Sequence, residues 1–213
     1  MEISSESVRG SMHPYEDRIL VDERLGLFAV ADGVTGSSQG SGAIAAVLTL
    51  ELLQKDFAGD IVSAVQQVHR KIVELRVDDR SIGESTITAA AISGDRLELA
   101  NLGDSPAFLV RDGMMTGLIT EDVSPGGRIT QVIGYPEVVT VHSRNVQLVK
   151  GDVLILASDG VEHILHPSLV VPMAGILSAG AIAKGIIEEA RNVTSGYDDD
   201  KSVIVLKISE GPS

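Results

Sequence analysis

The sequence contains no cysteine and no tryptophan, and aromatic residues make up only 3% of its 213 positions. Without cysteine the chain has no disulfide, no thiolate metal site and no cysteine nucleophile. Its core must therefore be aliphatic, and apolar residues are plentiful because they reach 44% of the composition. A chain of this length can bury a sizeable core, and we expect residues 1–213 to form a single domain.

Positive charge is also scarce, since 17 Lys and Arg residues stand against 30 Asp and Glu residues and the net charge is −13. Such an acidic chain repels nucleic acid phosphates, so we expect no nucleic acid partner, whereas cations remain compatible ligands. Residues 1–10 are polar and do not form a signal peptide, and no apolar run is long enough to span a bilayer. These absences predict a cytoplasmic protein with no membrane partner.

Two apolar segments run into an aspartate. Residues 27–31 are followed by Asp32 and Gly33, and residues 153–157 are followed by Ser158 and Asp159. We interpret both segments as buried strands. A carboxylate at the end of a buried strand is costly unless something pairs with it. The pattern therefore predicts a partner for these acids.

Other acids stand at the ends of predicted elements, and they are Glu16, Asp17, Asp104 and the run 198–200. Oxygen ligands select hard cations such as Mg²⁺ or Mn²⁺, and a pair of such ions can activate a water for displacement at phosphorus. Asp32 is the best placed to bridge two ions. Taken singly, each acid is more often structural, and the turn at Asp112-Gly113 shows that this chain also uses Asp-Gly for ordinary turns.

The predicted order of elements is a hairpin, two helices, several strands, two further helices and a last strand. The helices are expected at 38–57, 61–75, from 161 and at 179–192, and the later strands at 86–92, 97–102, 107–110, 138–149, 152–157 and 201–208. Segregated strands and helices favour an α+β sandwich over a doubly wound sheet. We place the apolar stripe of the first helix on Ile44, Val47, Leu48 and Leu52, with Leu50 and Leu53 widening it, and interpret His69 on the second helix as solvated.

Motifs along nearly the whole chain resemble the PPM family, the metal-dependent Ser/Thr protein phosphatases of type 2C. They are Tyr15-Glu16-Asp17-Arg18, Val30-Ala31-Asp32-Gly33, Glu84-Ser85-Thr86, Asn101-Leu102-Gly103-Asp104-Ser105, Leu156-Ala157-Ser158-Asp159-Gly160 and Asp199-Asp200-Lys201-Ser202. The resemblance implies a four-layer α-β-β-α sandwich of two antiparallel sheets flanked by helix pairs. It also implies a centre of two Mn²⁺ or Mg²⁺ ions, with a weaker third ion.

The same resemblance implies the metal ligands Glu16, Asp17, Asp32, Gly33, Asp104, Asp159 and Asp199. Asp32 would bridge the two ions, Asp159 and Asp199 would complete one shell, and the Gly33 carbonyl with Glu16 through water would serve the other. Asp17 would hold water, and Asp104 would belong to the third ion. Asp17, Asp32 and Asp159 are thus the expected catalytic residues.

Three positions depart from the family pattern. Met12 stands where many members have a phosphate-binding arginine, Val34 replaces a histidine that has been proposed as an acid, and Pro106 replaces an arginine. Only residues 125–127 separate the segments that flank the family's flap, so the flap subdomain is missing. This is similar to the stage II sporulation protein E branch, whose members act on phosphorylated anti-anti-sigma proteins.

We therefore predict a phosphatase that hydrolyses phosphoserine and phosphothreonine in proteins by attack of a metal-activated water. One alternative is an inactive, metal-binding relative that recognises a phosphoprotein, because groups that some members use on substrate are missing. Another is a small-molecule phosphomonoesterase with the same chemistry. Among the histidines, His13 is the one placed to approach a phosphate, and His142 is expected at the surface of a strand.

Overall fold

The computed structural model describes residues 1–34, 40–193 and 198–209. Within these ranges the strands are β1 Glu2–Val8, β2 Arg18–Asp22, β3 Leu27–Ala31, β4 Gly33–Val34, β5 Glu84–Ser85, β6 Ile87–Ser93, β7 Arg96–Leu102, β8 Ala107–Arg111, β9 Met114–Gly117, β10 His142–Gln147, β11 Val153–Ala157 and β12 Lys201–Lys207. The helices are α1 Gly42–Asp56, α2 Ile61–Asp78, α3 Pro167–Ile176 and α4 Ala179–Asn192, with a short 3₁₀ helix at Asp159–Ile164.

Two five-stranded antiparallel sheets form the centre of the molecule. The first has the strand order β1-β12-β11-β8-β9, and the second has the order β10-β7-β6-β3-β2. A small ladder of β4 and β5 extends from the end of β3. This confirms the predicted α+β class with two antiparallel sheets.

Alternation along the strands divides the apolar residues among three cores. Phe28 and Val30 of β3 meet Leu154 and Leu156 of β11 in a core between the sheets. The intervening residues point outward: those of β3 pack against α1 and α2, and those of β11 pack against α3 and α4. Since side chains alternate between the two faces of a strand, each central strand serves two cores and the molecule has four layers.

The packing face of α1 matches the predicted stripe only in part, because Leu50 and Leu53 are buried as expected but Ala45, Ala46 and Thr49 share the contact. Its buried residues are Gly42, Ala45, Ala46, Thr49, Leu50 and Leu53, whereas Ile44 is 39% exposed. The helix is apolar on most of its surface, so periodicity alone does not select one face. Four of these six residues have small side chains, which let the helix approach the sheet closely.

Two further local predictions are wrong. His69 on α2 is 2% exposed, and its ring packs beneath the segment 132–137 instead of facing solvent. The strand predicted at 138–149 is shorter in the structure, where only β10 (His142–Gln147) forms, and residues 118–141 are irregular. The predicted start of the first helix at Ser38 lies outside the described residues.

In the described ranges we find no helix whose length and hydropathy would let it cross a bilayer.

Candidate metal centre

The carboxylates predicted for the site meet where strands of the two sheets end. Ala157 at the end of β11 pairs with Val203 on β12, so the residues just beyond this pair, Asp159 and Asp199, come together. Asp32 follows β3 in the opposite sheet. These ends enclose a cleft of about 180 Å³ whose walls include His13, Asp32, Gly33, Asp104, Asp159 and Asp199.

Two glycines allow the backbone to close around this cleft. A Cβ at Gly33 would lie 2.4 Å from a backbone atom of Gly42, so α1 begins in direct contact with the backbone that follows Asp32. A Cβ at Gly160 would lie 1.9 Å from the carbonyl oxygen of Asp200. Since real Cβ contacts are never so short, each position requires glycine for close approach, a use beyond turn formation.

Asp200 organises the loop that carries Glu16 and Asp17. Its carboxylate accepts hydrogen bonds from the backbone N–H groups of Gly10, Glu16 and Asp17, at 2.8, 2.6 and 3.3 Å. The side chain is 1% exposed. Sequence reasoning missed this function, and the available signal was that the acidic run 198–200 leads directly into an apolar strand.

Asp17 lies behind the cleft and is fully buried. The Ser158 hydroxyl donates to its Oδ2 at 2.7 Å, and the N–H of Ser202 donates to the Ser158 oxygen at 3.0 Å. Among the described residues, no group donates to Asp17 Oδ1 or to Asp159 Oδ1, although both atoms are buried. Unpartnered buried carboxylate oxygens are costly, so both call for a ligand that supplies positive charge or a proton.

The raised pKa values of these carboxyls also show that their ionised forms are unfavourable in the folded protein. Burial, followed by the charges of Asp17, Asp159 and Asp199, raises the pKa of Asp32 well above its usual range. Burial raises the pKa of Asp17 to about 6, and burial with the charge of Asp159 raises that of Asp104 to about 7. Burial and the charge of Asp199 also raise the pKa of Asp159. Clustered acids thus disfavour one another's ionised forms.

The carboxylate oxygens of the cleft are therefore chemically suitable ligands for a divalent cation. It consists of carboxylate oxygens, which hard ions prefer, and a cation would remove the repulsion that raises these pKa values. In the part of the chain that the structure describes, however, no three His, Asp or Glu side chains are already arranged as a metal shell. Asp32 and Asp159 instead lie close enough for each to shift the pKa of the other.

His13 lines the cleft, and Glu16 is buried beside it without lining the cleft. His13 Nε2 lies 2.6 Å from Asp199 Oδ1, and its Nδ1 lies 2.9 Å from the carbonyl oxygen of Pro14 and 3.6 Å from Glu16 Oε2. Burial lowers the pKa of His13, but the hydrogen bond to Pro14 and the charge of Asp199 outweigh it and raise the pKa. Both ring nitrogens are thus engaged, which leaves the imidazole no free donor for a phosphate.

Asp122 supports the backbone beside Asp104. Its carboxylate accepts from the Gly103 N–H at 2.9 Å and from Gln131 Nε2 at 2.6 Å, and it lies 2.8 Å from His142 Nε2. Gly103 precedes Asp104, so this contact fixes the backbone that presents the Asp104 carboxyl to the cleft. Sequence reasoning did not identify Asp122, and His142 is a half-buried partner of this acid instead of a surface residue.

A family model described as Stage II sporulation protein E (SpoIIE) matches residues 23–209. Serine/threonine protein phosphatase PstP of Mycobacterium tuberculosis is 28% identical over 222 residues, which cover 91% of this chain and 42% of that protein. Probable protein phosphatase 2C 58 of Arabidopsis thaliana is 26% identical over 239 residues, with coverage of 92% and 84%.

Solved structures show the same architecture. The catalytic domain of PstP in complex with two manganese ions has a TM-score of 0.82 at 23% identity, with 98% of each chain covered. A bacterial serine phosphatase has a TM-score of 0.86 at 16% identity, with 100% of each chain covered. The fold is therefore that of the PPM phosphatases, as the sequence motifs indicated. More narrowly, the chain belongs to the stage II sporulation protein E family. It spans 42% of the length of PstP.

Proposed function

We propose that the chain is a metal-dependent phosphatase that hydrolyses phosphoserine and phosphothreonine in proteins. The observation that carries this proposal is the cleft in which four carboxyls come together, those of Asp32, Asp104, Asp159 and Asp199. The pKa values of the first three are raised by burial and by neighbouring acids, and a bound cation would relieve this repulsion. The named phosphatases among the relatives support it, as does the manganese-bound structure of PstP. Within this proposal residues 1–213 act as one catalytic domain.

The proposed ligands are those that the resemblance implied. Asp32 would contact two Mn²⁺ or Mg²⁺ ions, Asp159 and Asp199 would hold one of them, and the Gly33 carbonyl with Glu16 would serve the other. Asp104 would serve a weaker third ion. When bound, such ions supply Lewis acidity, which lowers the pKa of water and neutralises charge on a phosphoryl group.

Asp17 has a separate role in this proposal. Its Oδ2 is held by the Ser158 hydroxyl at 2.7 Å, so the side chain is fixed in one orientation. Its Oδ1 is buried without a partner among the described residues and is available to accept a hydrogen bond from the attacking water. In the reaction the water oxygen forms a bond to phosphorus and gives up a proton, the bond from phosphorus to the serine or threonine oxygen breaks, and that oxygen takes up one proton to leave as the alcohol.

Phosphate binding must depend largely on the metal ions in this chain. No Lys or Arg is among the described residues that line the cleft, and Met12 at the position of the usual arginine is 52% exposed. Val34 lines the cleft without a polar group. We therefore propose that free phosphate binds weakly in the absence of metal. The proposed substrate is a phosphoprotein. An anti-anti-sigma type regulator is the proposed partner, which the family match supports.

The direct test is hydrolysis of a phosphothreonine peptide with Mn²⁺, measured as phosphate release. We expect activity that EDTA abolishes and that Asp32→Asn and Asp159→Asn reduce by several orders of magnitude. Asp112→Asn, at an exposed hairpin turn, is the matched control and should retain full activity. Activity that persists in EDTA or in both cleft variants would refute the proposal. Faster hydrolysis of phosphosugars than of phosphopeptides would favour a small-molecule phosphomonoesterase.

A further inference from the structure

A second cavity adjoins the acidic cleft. It has a volume of about 410 Å³, and its walls include Val34, Arg76, Glu84, Ile129, Val132 and Tyr135. Val34 and Ile129 also line the acidic cleft, so one continuous surface leads from the carboxylates into this neighbouring space. We call it the side pocket.

The side pocket carries little net charge, in contrast to the cleft. Arg76 Nη2 lies 3.0 Å from Glu84 Oε1, and the two side chains are only 17% and 4% exposed. These two charges pair with each other, and the rest of the wall is uncharged: it consists of Val34, Ile129, Val132 and Tyr135, together with the polar residues Thr130 and Gln131. Such a surface suits an uncharged, apolar group better than a phosphate or an ammonium group.

Tyr135 stands at the rim of this pocket. At 59% exposure, it is the one aromatic side chain that the described ranges leave exposed in a chain with very few aromatics. Exposed tyrosines beside a pocket are typical anchors of protein contacts, because the ring offers a large contact area at low cost in conformational entropy. Tyr135 is therefore placed to pack its ring against a ligand that enters the side pocket.

The wall that carries Tyr135 is held in place before any ligand arrives. The Gly134 N–H donates to His69 Nδ1 at 3.3 Å, and Arg76 donates to the Gly134 carbonyl. The Ile133 N–H donates to the Ser85 carbonyl at 2.8 Å, which attaches the segment to the small ladder beside Asp32. A preformed wall loses little entropy on binding and therefore supports recognition.

We propose that the side pocket binds an apolar side chain close to the phosphorylated residue of a phosphoprotein substrate. This inference rests on the proposed function, because the phosphoryl group must lie in the acidic cleft. With the cleft occupied by phosphate, the continuous wall of Val34 and Ile129 guides a neighbouring residue of the substrate toward Tyr135. The pocket thereby distinguishes substrates that metal ions and phosphate alone would treat alike.

The experiment uses phosphothreonine peptides of glycine and serine in which a single leucine is moved from three residues before the phosphothreonine to three residues after it. We expect one or two positions to raise kcat/KM by roughly tenfold over the peptide without leucine, the effect of burying about half of a leucine side chain. Tyr135→Ala should remove most of this gain through KM and leave the leucine-free peptide unchanged. Tyr135→Phe should retain the gain.

Val138→Ala is the matched control, because Val138 is 85% exposed on the same segment and does not line the side pocket. It should retain the gain from leucine. The inference is overturned if no leucine position helps, if lysine or glutamate helps more than leucine, or if Tyr135→Ala slows every peptide equally. Hydrolysis of the leucine-free peptide keeps the proposed function standing in each of these cases, whereas no hydrolysis of any peptide with Mn²⁺ overturns both.

Discussion

Replacing Asp104 by asparagine removes one negative charge from the cleft and keeps the shape of the side chain. Burial, together with the charge of Asp159, raises the pKa of the Asp104 carboxyl from its ordinary 3.8 to about 7. The folded protein thus binds this proton more tightly than the unfolded chain does. The resulting stabilisation is complete below pH 3.8 and is lost as the pH rises through 7. At 1.36 kcal/mol per pKa unit, the loss reaches about 4 kcal/mol at pH 8.

The assay is urea denaturation in EDTA, which gives the free energy of unfolding of the wild type and of Asp104→Asn at pH 5 and pH 8. Asparagine does not ionise, so we expect the variant to be more stable by about 2 kcal/mol at pH 5 and by about 4 kcal/mol at pH 8. Asp112→Asn is the control, since its exposed turn residue has φ +50°, a conformation that asparagine tolerates. Its stability should equal that of the wild type at both pH values.

A difference between Asp104→Asn and the wild type that stays constant from pH 5 to pH 8 would refute the reasoning. It would mean that the Asp104 carboxyl ionises as easily in the folded protein as in the unfolded chain. Saturating Mn²⁺ should narrow the difference at pH 8, because a cation in the cleft stabilises the ionised carboxylates. The same two proteins therefore test the repulsion among the clustered acids and its reduction by bound Mn²⁺.

Three further outcomes are expected. Saturating Mn²⁺ raises the melting temperature of the wild type by several degrees and that of Asp32→Asn by much less, as thermal scans with and without EDTA will show. Arg111→Ala leaves the buried carboxylate of Asp152 without its guanidinium partner and lowers the free energy of unfolding in urea by about 3 kcal/mol; a loss below about 1 kcal/mol would contradict this. Gly160→Ala weakens Mn²⁺ binding in calorimetric titrations by roughly tenfold or more, because its methyl group meets a backbone oxygen, whereas Gly175→Ala has open space and does not.

The strand-end acids could be predicted because each interrupts a regular pattern. Along β3 and β11 every residue is buried, and a carboxylate within two residues of the end of such a run is rare without a functional reason. The α+β sandwich class could be predicted from short strands joined by turns and from helices grouped between them, whereas the two antiparallel sheets followed from the family resemblance. The first two inferences use local patterns, which a sequence shows directly.

What escaped prediction depends on contacts between distant parts of the chain. Periodicity identified Leu50 and Leu53 on the buried face of α1, but it did not show that Gly42, Ala45 and Ala46 let the helix approach the sheet closely. His69 is buried because residues 132–137 fold over α2, and Asp200 matters because residues 10–17 return to it. Each of these depends on a partner tens of positions or more away, so tertiary packing overrides the local pattern.

The pairing of β1 with β12 joins residues that are almost two hundred positions apart, with Val8 opposite Lys201. During synthesis on the ribosome, Asp32 and Asp159 emerge well before Asp199, and the loop that holds Glu16 cannot settle until Asp200 is in place. A nascent chain therefore lacks the complete acidic cleft until β12 has left the exit tunnel. Translation itself delays any activity of the cleft until this strand has been synthesised.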